Sequence, residues 1–259
     1  MDEEEFHLYN QEREISIGYM VFDGFAPLDV FGPLQFISGI SADFNMSLSI
    51  ISKKAGPIST YVPLHNIDDG MPMKETISAS VIATHSVNDA PSLNLLIVPV
   101  SDIRYGGIGN RARFMGNDTW IENFVASRFN ATDFVASVCT GAMSLAKAGV
   151  LDGKRATTNK LAWSQVIPFG NNVTWVPNAR WTHDDKIWTS SGVAAGMDMT
   201  YALLRWLYGD ERVNVTMNAV EYAPHVDPHW DPFSVVHNVP GADHAHSLKD
   251  LVGPVGYDN

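Results

Sequence analysis

Short apolar runs separated by polar or glycine-containing segments recur along the chain. Runs rich in Val, Ile, Leu and Phe predict β-strands, and nearly continuous apolar runs are typical of strands covered on both faces. One such run, LNLLIVPV at residues 93–100, is bounded by polar segments on both sides. By this criterion we predict strands at residues 15–22, 44–52, 93–100, 134–138 and 173–176.

The segments between these strands have amphipathic or small-residue patterns that predict helices. The predicted helices begin at Pro27 and continue through Ile37, then cover residues 118–129, 141–148 and 193–208. Residues 180–182 and 187–190 flank a polar turn, which predicts a hairpin. Strands that alternate with helices favour an α/β fold, with a mainly parallel, flavodoxin-like sheet sandwiched between helices.

The chain contains no internal repeat, linker or low-complexity stretch. We therefore predict one domain over residues 1–259, with a core at 15–210 and an extension at 211–259 that packs on this core. The last 40 or so residues are rich in Pro, His and Asp and are expected to be extended. The acidic run at residues 2–5 is interpreted as a solvated terminus.

Composition narrows the class of protein. The 259 residues are 45% hydrophobic and 18% charged, which is typical of a globular chain. The net charge of −12 argues against a nucleic acid or an anionic membrane as partner. No apolar run approaches the roughly 18 residues needed to span a bilayer.

Localisation stays open between two interpretations. The acidic start lacks the apolar stretch of a signal peptide, which favours the cytoplasm. Five Asn-x-Ser/Thr sequons favour a secreted or lumenal glycoprotein instead, and they lie at Asn45, Asn117, Asn130, Asn172 and Asn214.

Cys139 is the only cysteine, so an internal disulfide and every multi-cysteine zinc site are excluded. It lies between the predicted strand 134–138 and the predicted helix 141–148, at the sheet edge where α/β folds bind ligands. A helix N-terminus favours the thiolate, and the small residues that follow permit a sharp strand-to-helix turn. This pattern predicts a nucleophile elbow with sulfur in place of oxygen. The alternative is an inert buried thiol.

The surrounding motifs resemble the ThiJ/PfpI superfamily, whose fold is class I glutamine-amidotransferase-like. The similarity extends over about residues 15–210 and is strongest to the branch that contains isonitrile hydratase and the sensor domains of some AraC-type regulators. The stretches that carry it are LDVFGP at 28–33, GGIGNR at 106–111, ASVCTGA at 136–142, LAKAGVLDGKRATT at 145–158 and WTSSGVAAGMD at 188–198.

The resemblance implies a role for five residues. Cys139 would be the nucleophile, and Asp29 matches an acidic residue that handles the proton near the thiol. Gly106, Gly107 and Thr140 match positions of an oxyanion or substrate-binding site. Asp29 also has a simpler interpretation, as a cap of the helix that follows Pro27.

The resemblance also implies a small-molecule substrate, a homodimer, and no cofactor or metal. The chain departs from the family pattern in that Thr140 replaces a histidine found directly after the cysteine in several hydrolases. Asn159 and Lys160 stand where relatives often have His-Trp. The glycine pair Gly106-Gly107 is displaced from the end of the preceding strand.

Histidines concentrate in the C-terminal part of the chain, and His225 and His229 are four residues apart. Pro224 and Pro228 prevent the helix that would bring these two side chains to one face, so we do not assign a metal site. Residues 222–233 are instead expected to form a pocket wall or a dimer contact.

The predicted function is a cofactor-independent, cysteine-dependent enzyme of isonitrile-hydratase type, which produces an N-substituted formamide by covalent catalysis. Two alternatives remain. One is another lyase, cyclase, amidase or glyoxalase-like enzyme on the same site. The other is a non-enzymatic redox or ligand sensor.

Overall fold

A computed structural model describes residues 2–60, 77–99, 118–246 and 248. Within these residues the central sheet has seven strands in the order β10-β11-β7-β6-β1-β2-β5. All neighbouring strands are parallel except β10 and β11, which form the predicted antiparallel hairpin. The strands are β1 (Ile15–Met20), β2 (Met46–Ser52), β5 (His85–Ser86), β6 (Leu95–Val98), β7 (Phe134–Ser137), β10 (Trp181–Asp184) and β11 (Ile187–Ser190).

Two smaller pairs of strands lie outside the central sheet. β3 (Gly56–Ser59) pairs with β4 (Ser80–Ala83) in antiparallel orientation. β8 (Arg155–Ala156) pairs in parallel with β9 (Thr174–Trp175). The predicted strand at 173–176 therefore exists, but it belongs to this small pair.

Helices cover both faces of the sheet. Those in the described residues are α1 (Glu3–Glu12), α2 (Pro27–Ile40), α3 (Trp120–Arg128), α4 (Gly141–Lys147), α5 (Trp163–Val166), α6 (Val193–Tyr208), α7 (Asp210–Ala219) and α8 (Phe233–Val236). None of the described helices combines the length and the apolar character that a membrane span requires.

Alternation along the strands produces two apolar cores. On β1, Ile17 and Tyr19 belong to the core that includes residues of α2, α6 and α7. On β6, Leu96 and Val98 face the opposite core, which includes residues of α3 and α4. Successive side chains of a strand point to opposite faces, so a sheet buried on both sides needs apolar residues at every position. The predicted α/β sandwich is confirmed.

Residues 2–5 are solvent-exposed, as predicted for a solvated terminus, but they also begin a helix that was not predicted, α1. The Asp2 side chain accepts a hydrogen bond from the Glu5 N–H at 2.9 Å, and the Glu5 carboxylate accepts one from the Asp2 N–H at 3.2 Å. Phe6 then packs on Trp206, with ring centroids 4.6 Å apart. The Asp-x-x-Glu capping box was the sequence signal for this helix.

The extension beyond residue 210 begins with a helix, α7, and contains a second helix, α8, so it is not extended throughout. Residues 223–228 have no regular secondary structure in this segment, and Pro224 and Pro228 lie within it. The division into a core and an extension stays a prediction.

Candidate active site

Cys139 occupies a strained turn between β7 and α4. Its φ is 62°, in the left-handed region, and its side chain is 1% exposed. This conformation costs free energy for a non-glycine residue. It persists where surrounding contacts hold it, and it is found most often at functional sites. Here the Val138 N–H donates to the Val98 carbonyl at 3.0 Å, and the Thr158 hydroxyl donates to the Cys139 carbonyl at 3.0 Å. The backbone therefore has the sharp turn of a nucleophile elbow.

Two glycines allow helices to approach this turn closely. A Cβ atom at Gly141 would lie 2.1 Å from the Val98 carbonyl oxygen. A Cβ atom at Gly196 would lie 2.4 Å from Cγ1 of Val138. Because α4 and α6 each contact a strand end through a glycine, the turn that carries Cys139 is held at the carboxyl edge of the sheet.

Cys139 lines a cavity of about 480 Å³ at this edge. Its wall is assembled from segments that are distant in sequence: residues 26–28, 159–161, 180, 191–195, 231, 233 and 237. The predicted pocket-wall role of residues 222–233 is thus confirmed for Asp231 and Phe233.

Most of the cavity surface is apolar, and a few polar side chains lie in its wall. Leu28, Leu161 and Phe233 are 49%, 55% and 40% exposed, and all three line the cavity. Polar lining residues include Asn159, Ser191 and His237. This arrangement suits a ligand with an apolar body and a small polar or electrophilic group.

Four buried charged residues form a network in and behind the wall. Arg180 Nε lies 2.6 Å from Asp198 Oδ2, and Arg180 Nη1 lies 3.7 Å from Asp231 Oδ1. Lys160 Nζ lies 3.9 Å from Asp231 Oδ2. Two cations thus face two carboxylates, and the network needs no charged ligand to balance it.

Lys160 is the most perturbed of these groups. Its ammonium donates hydrogen bonds to Thr157 Oγ1 at 2.6 Å and to the Ala179 carbonyl at 2.8 Å. Burial lowers the pKa of Lys160 to about 8, although the charge of Asp231 opposes this effect. In the sequence, Lys160 was recognised only as a departure from the family pattern, Asp231 was included only within the expected pocket wall 222–233, and Arg180 was not singled out. No local motif connects these residues, and the basic residue at position 160 was the only signal.

Asp29 lies in the first turn of α2, beside the cavity-lining residues 26–28. It is 0% exposed, and its backbone carbonyl accepts a hydrogen bond from the Tyr19 hydroxyl at 2.5 Å. The pKa of Tyr19 is raised, first by burial and then by the charge of Asp29. Ala26 occupies the N-cap position, so Asp29 is not the N-cap residue.

The other predicted site residues are placed as follows. Thr140 is buried directly after Cys139, at the N-cap of α4. Gly106 and Gly107 lie outside the described residues. In the part of the chain that the structure describes, no group of three or more His, Cys, Asp or Glu side chains could hold a metal ion.

Similar proteins agree with this architecture. The chain is 26% identical to an isonitrile hydratase of Pseudomonas putida over 211 residues, which is 81% of this chain and 79% of that protein. A ThiJ/PfpI family protein from Pseudomonas syringae superposes with a TM-score of 0.64 at 23% identity, covering 86% of this chain and 80% of that one. Drosophila melanogaster DJ-1beta superposes with a TM-score of 0.60 at 16% identity, covering 82% and 100%.

The family comparison covers most of the chain. Residues 16–205 match the DJ-1/PfpI family, and this range includes β1 except Ile15, the Cys139 elbow and most of α6. The strained cysteine, the parallel sheet and the glycine contacts described above lie within the matched range. The chain therefore belongs to the DJ-1/PfpI family.

Proposed function

We propose that this protein is a cysteine-dependent isonitrile hydratase, which converts an isonitrile and water into an N-substituted formamide. The observation that carries the proposal is the position of Cys139, held at φ 62° in the wall of a cavity with an apolar mouth. The similarity to the Pseudomonas putida isonitrile hydratase supports the choice of reaction.

In the first step the Cys139 thiolate attacks the terminal carbon of the isonitrile. A C–S bond forms, and Asp29 transfers its proton to the same carbon. The product is a thioimidate, R–N=CH–S, joined to Cys139, and Asp29 is left as a carboxylate. Covalent attack divides one difficult hydration into two easier steps.

In the second step water adds to the thioimidate carbon. Asp29 takes a proton from the water and passes it to the nitrogen, which forms R–NH–CH(OH)–S. The C–S bond then breaks with its electron pair on sulfur, and the hydroxyl proton moves to Asp29. The N-substituted formamide leaves, and both the thiolate and the protonated Asp29 are regenerated.

The character of the cavity suits this substrate. An isonitrile is uncharged, and the buried charges of the wall balance one another between Arg180, Lys160, Asp198 and Asp231. The apolar mouth formed by Leu28, Leu161 and Phe233 would hold the organic group R.

The test is turnover of a panel of alkyl and aryl isonitriles, measured by loss of the isonitrile infrared band and by NMR detection of the formamide. Cys139→Ala and Asp29→Asn should each lower kcat at least about a hundredfold, the usual scale for loss of a nucleophile or a general acid. Asp43→Asn makes the same chemical change at an exposed carboxylate and should leave kcat unchanged. Mass spectrometry of quenched wild-type enzyme should detect the adduct on Cys139.

Three outcomes contradict the proposal. Absence of turnover across the panel removes the substrate assignment. Full activity of Cys139→Ser together with loss in Asp29→Asn indicates proton transfer without covalent catalysis, as in another lyase or a cyclase. Ready oxidation of Cys139 in mild peroxide without any turnover favours the sensor alternative.

A further inference from the structure

The C-terminal segment, defined here as residues 220–246, contributes directly to the candidate active site. It supplies Asp231, Phe233 and His237 to the cavity wall. The match to the DJ-1/PfpI family ends at residue 205, so these side chains lie outside the region that places Cys139.

Buried charges of the core hold this segment in place. Asp198 on α6 accepts hydrogen bonds from the Tyr222 hydroxyl at 2.5 Å and from the His225 N–H at 3.0 Å. The Arg180 N–H donates to the Pro228 carbonyl at 2.8 Å. The third of these contacts is made by the Arg180 backbone, and the Arg180 guanidinium is paired with Asp198, so the same two residues hold the segment at three points.

Asp231 fixes the position of Phe233. Its Oδ1 accepts a hydrogen bond from the Phe233 N–H at 3.1 Å and faces Arg180, while its Oδ2 faces Lys160. The next residue, Ser234, is fully buried, and its hydroxyl lies 3.1 Å from Asn178 Oδ1. The backbone on both sides of Phe233 is therefore attached to the core, and its side chain has a defined position at the mouth.

Two other exposed apolar side chains line the same cavity as Phe233, namely Leu28 from α2 and Leu161 from the segment after β8. Large apolar side chains grouped around an opening are a sign of ligand contact, whereas single exposed ones are ordinary. The cavity volume of about 480 Å³ lies within the range of roughly 300–1,000 Å³ that is usual for small-molecule sites. A methyl isonitrile would leave most of this space unfilled.

We infer that the C-terminal segment determines substrate selectivity and that Phe233 selects isonitriles whose organic group is bulky and apolar, such as cycloalkyl or aryl. The substrate class rests on the proposed function. The apolar binding role of Phe233 does not depend on chemistry at Cys139. The two ideas can therefore be tested separately.

The first experiment measures binding without turnover. N-phenyl-1-naphthylamine, a neutral apolar dye, is titrated into wild type, Phe233→Leu, Phe233→Ala and Val226→Ala, with fluorescence as the readout. The Kd should rise about tenfold or more in Phe233→Ala, as expected for loss of a buried aromatic contact, and less in Phe233→Leu. Val226→Ala is the matched control, because Val226 is exposed in the same segment but does not line the cavity, and its Kd should be unchanged.

The second experiment compares kcat/KM for methyl isonitrile and cyclohexyl isonitrile. Phe233→Ala should lower kcat/KM for the cyclohexyl substrate about tenfold or more, mainly through KM, and should change the value for the methyl substrate less than about threefold. Selectivity of Val226→Ala should equal that of wild type.

The outcomes separate the two ideas. No isonitrile turnover, together with Phe233-dependent dye binding, contradicts the proposed function and leaves Phe233 as a determinant of apolar binding. Equal losses for both isonitriles, or a dye Kd that is insensitive to Phe233→Ala, overturns the selectivity role even if turnover is high.

Discussion

Gly141 lies directly against Val98: a Cβ atom at Gly141 would be 2.1 Å from the Val98 carbonyl oxygen, far inside van der Waals contact. That oxygen also accepts the hydrogen bond from the Val138 N–H. The contact therefore joins the start of α4 to the ends of β6 and β7. It fixes the position of Cys139 relative to the carboxyl edge of the sheet.

We expect Gly141→Ala to lower the free energy of unfolding by about 2 kcal/mol or more, because backbone atoms on both sides must move to admit the methyl group. Chemical denaturation with a two-state fit measures this change. Gly192→Ala is the control, since a Cβ there would meet its nearest atom, Asn159 Nδ2, at 3.6 Å, an ordinary contact distance. Equal stability of the two variants would contradict this prediction, because it would show that the backbone at the end of β6 can move without loss of stability.

The strain at Cys139 gives a second prediction. Cys139→Ala and Cys139→Gly both remove the thiol, but only glycine adopts φ 62° without steric cost. We expect the glycine variant to be more stable than the alanine variant by about 1 kcal/mol, the left-handed penalty less the extra chain entropy of glycine. Denaturation curves of the two variants, measured under the same conditions, test the sign of this difference in the free energy of unfolding. A more stable alanine variant would contradict a strained elbow.

The buried ammonium of Lys160 should make stability depend on pH. The folded-state pKa of about 8 lies below the unfolded value of about 10.4, so the unfolded state binds more protons between these values. The contribution of Lys160 to the free energy of unfolding is therefore constant below pH 8 and rises from about pH 8 towards pH 10. The expected slope is on the order of 1 kcal/mol per pH unit.

The measurement is the difference in unfolding free energy between wild type and Lys160→Gln at several pH values from 7 to 10. Other groups that titrate in this range, including the tyrosines, contribute to both proteins and cancel in the difference. Lys54→Gln makes the same substitution at an exposed lysine and is the control. A flat difference for Lys160→Gln would mean that its ammonium titrates as in water.

Local pattern predicted most of the fold. The strands β1, β2, β6 and β7 lie within the predicted segments, and α6 has the predicted bounds. These elements depend on the periodicity of apolar side chains, which can be read from residues that are close together in the sequence. Among the described residues, four helices were not predicted. Two of them, α5 and α8, have only four residues each, and the longer two, α1 and α7, are polar helices whose stability depends on a capping box or on packing against the core more than on an apolar stripe.

The sequence by itself determined the α/β sandwich and the placement of Cys139 between a buried strand and a small-residue helix, because both depend on residues adjacent in the chain. Tertiary structure alone decided that Lys160 and Arg180 lie in the cavity wall, and which residues of the expected pocket wall 222–233 line the cavity, namely Asp231 and Phe233. These residues come from segments with no shared local pattern. Their charges can stay buried only because the C-terminal segment folds back over the sheet edge and brings the partners within reach.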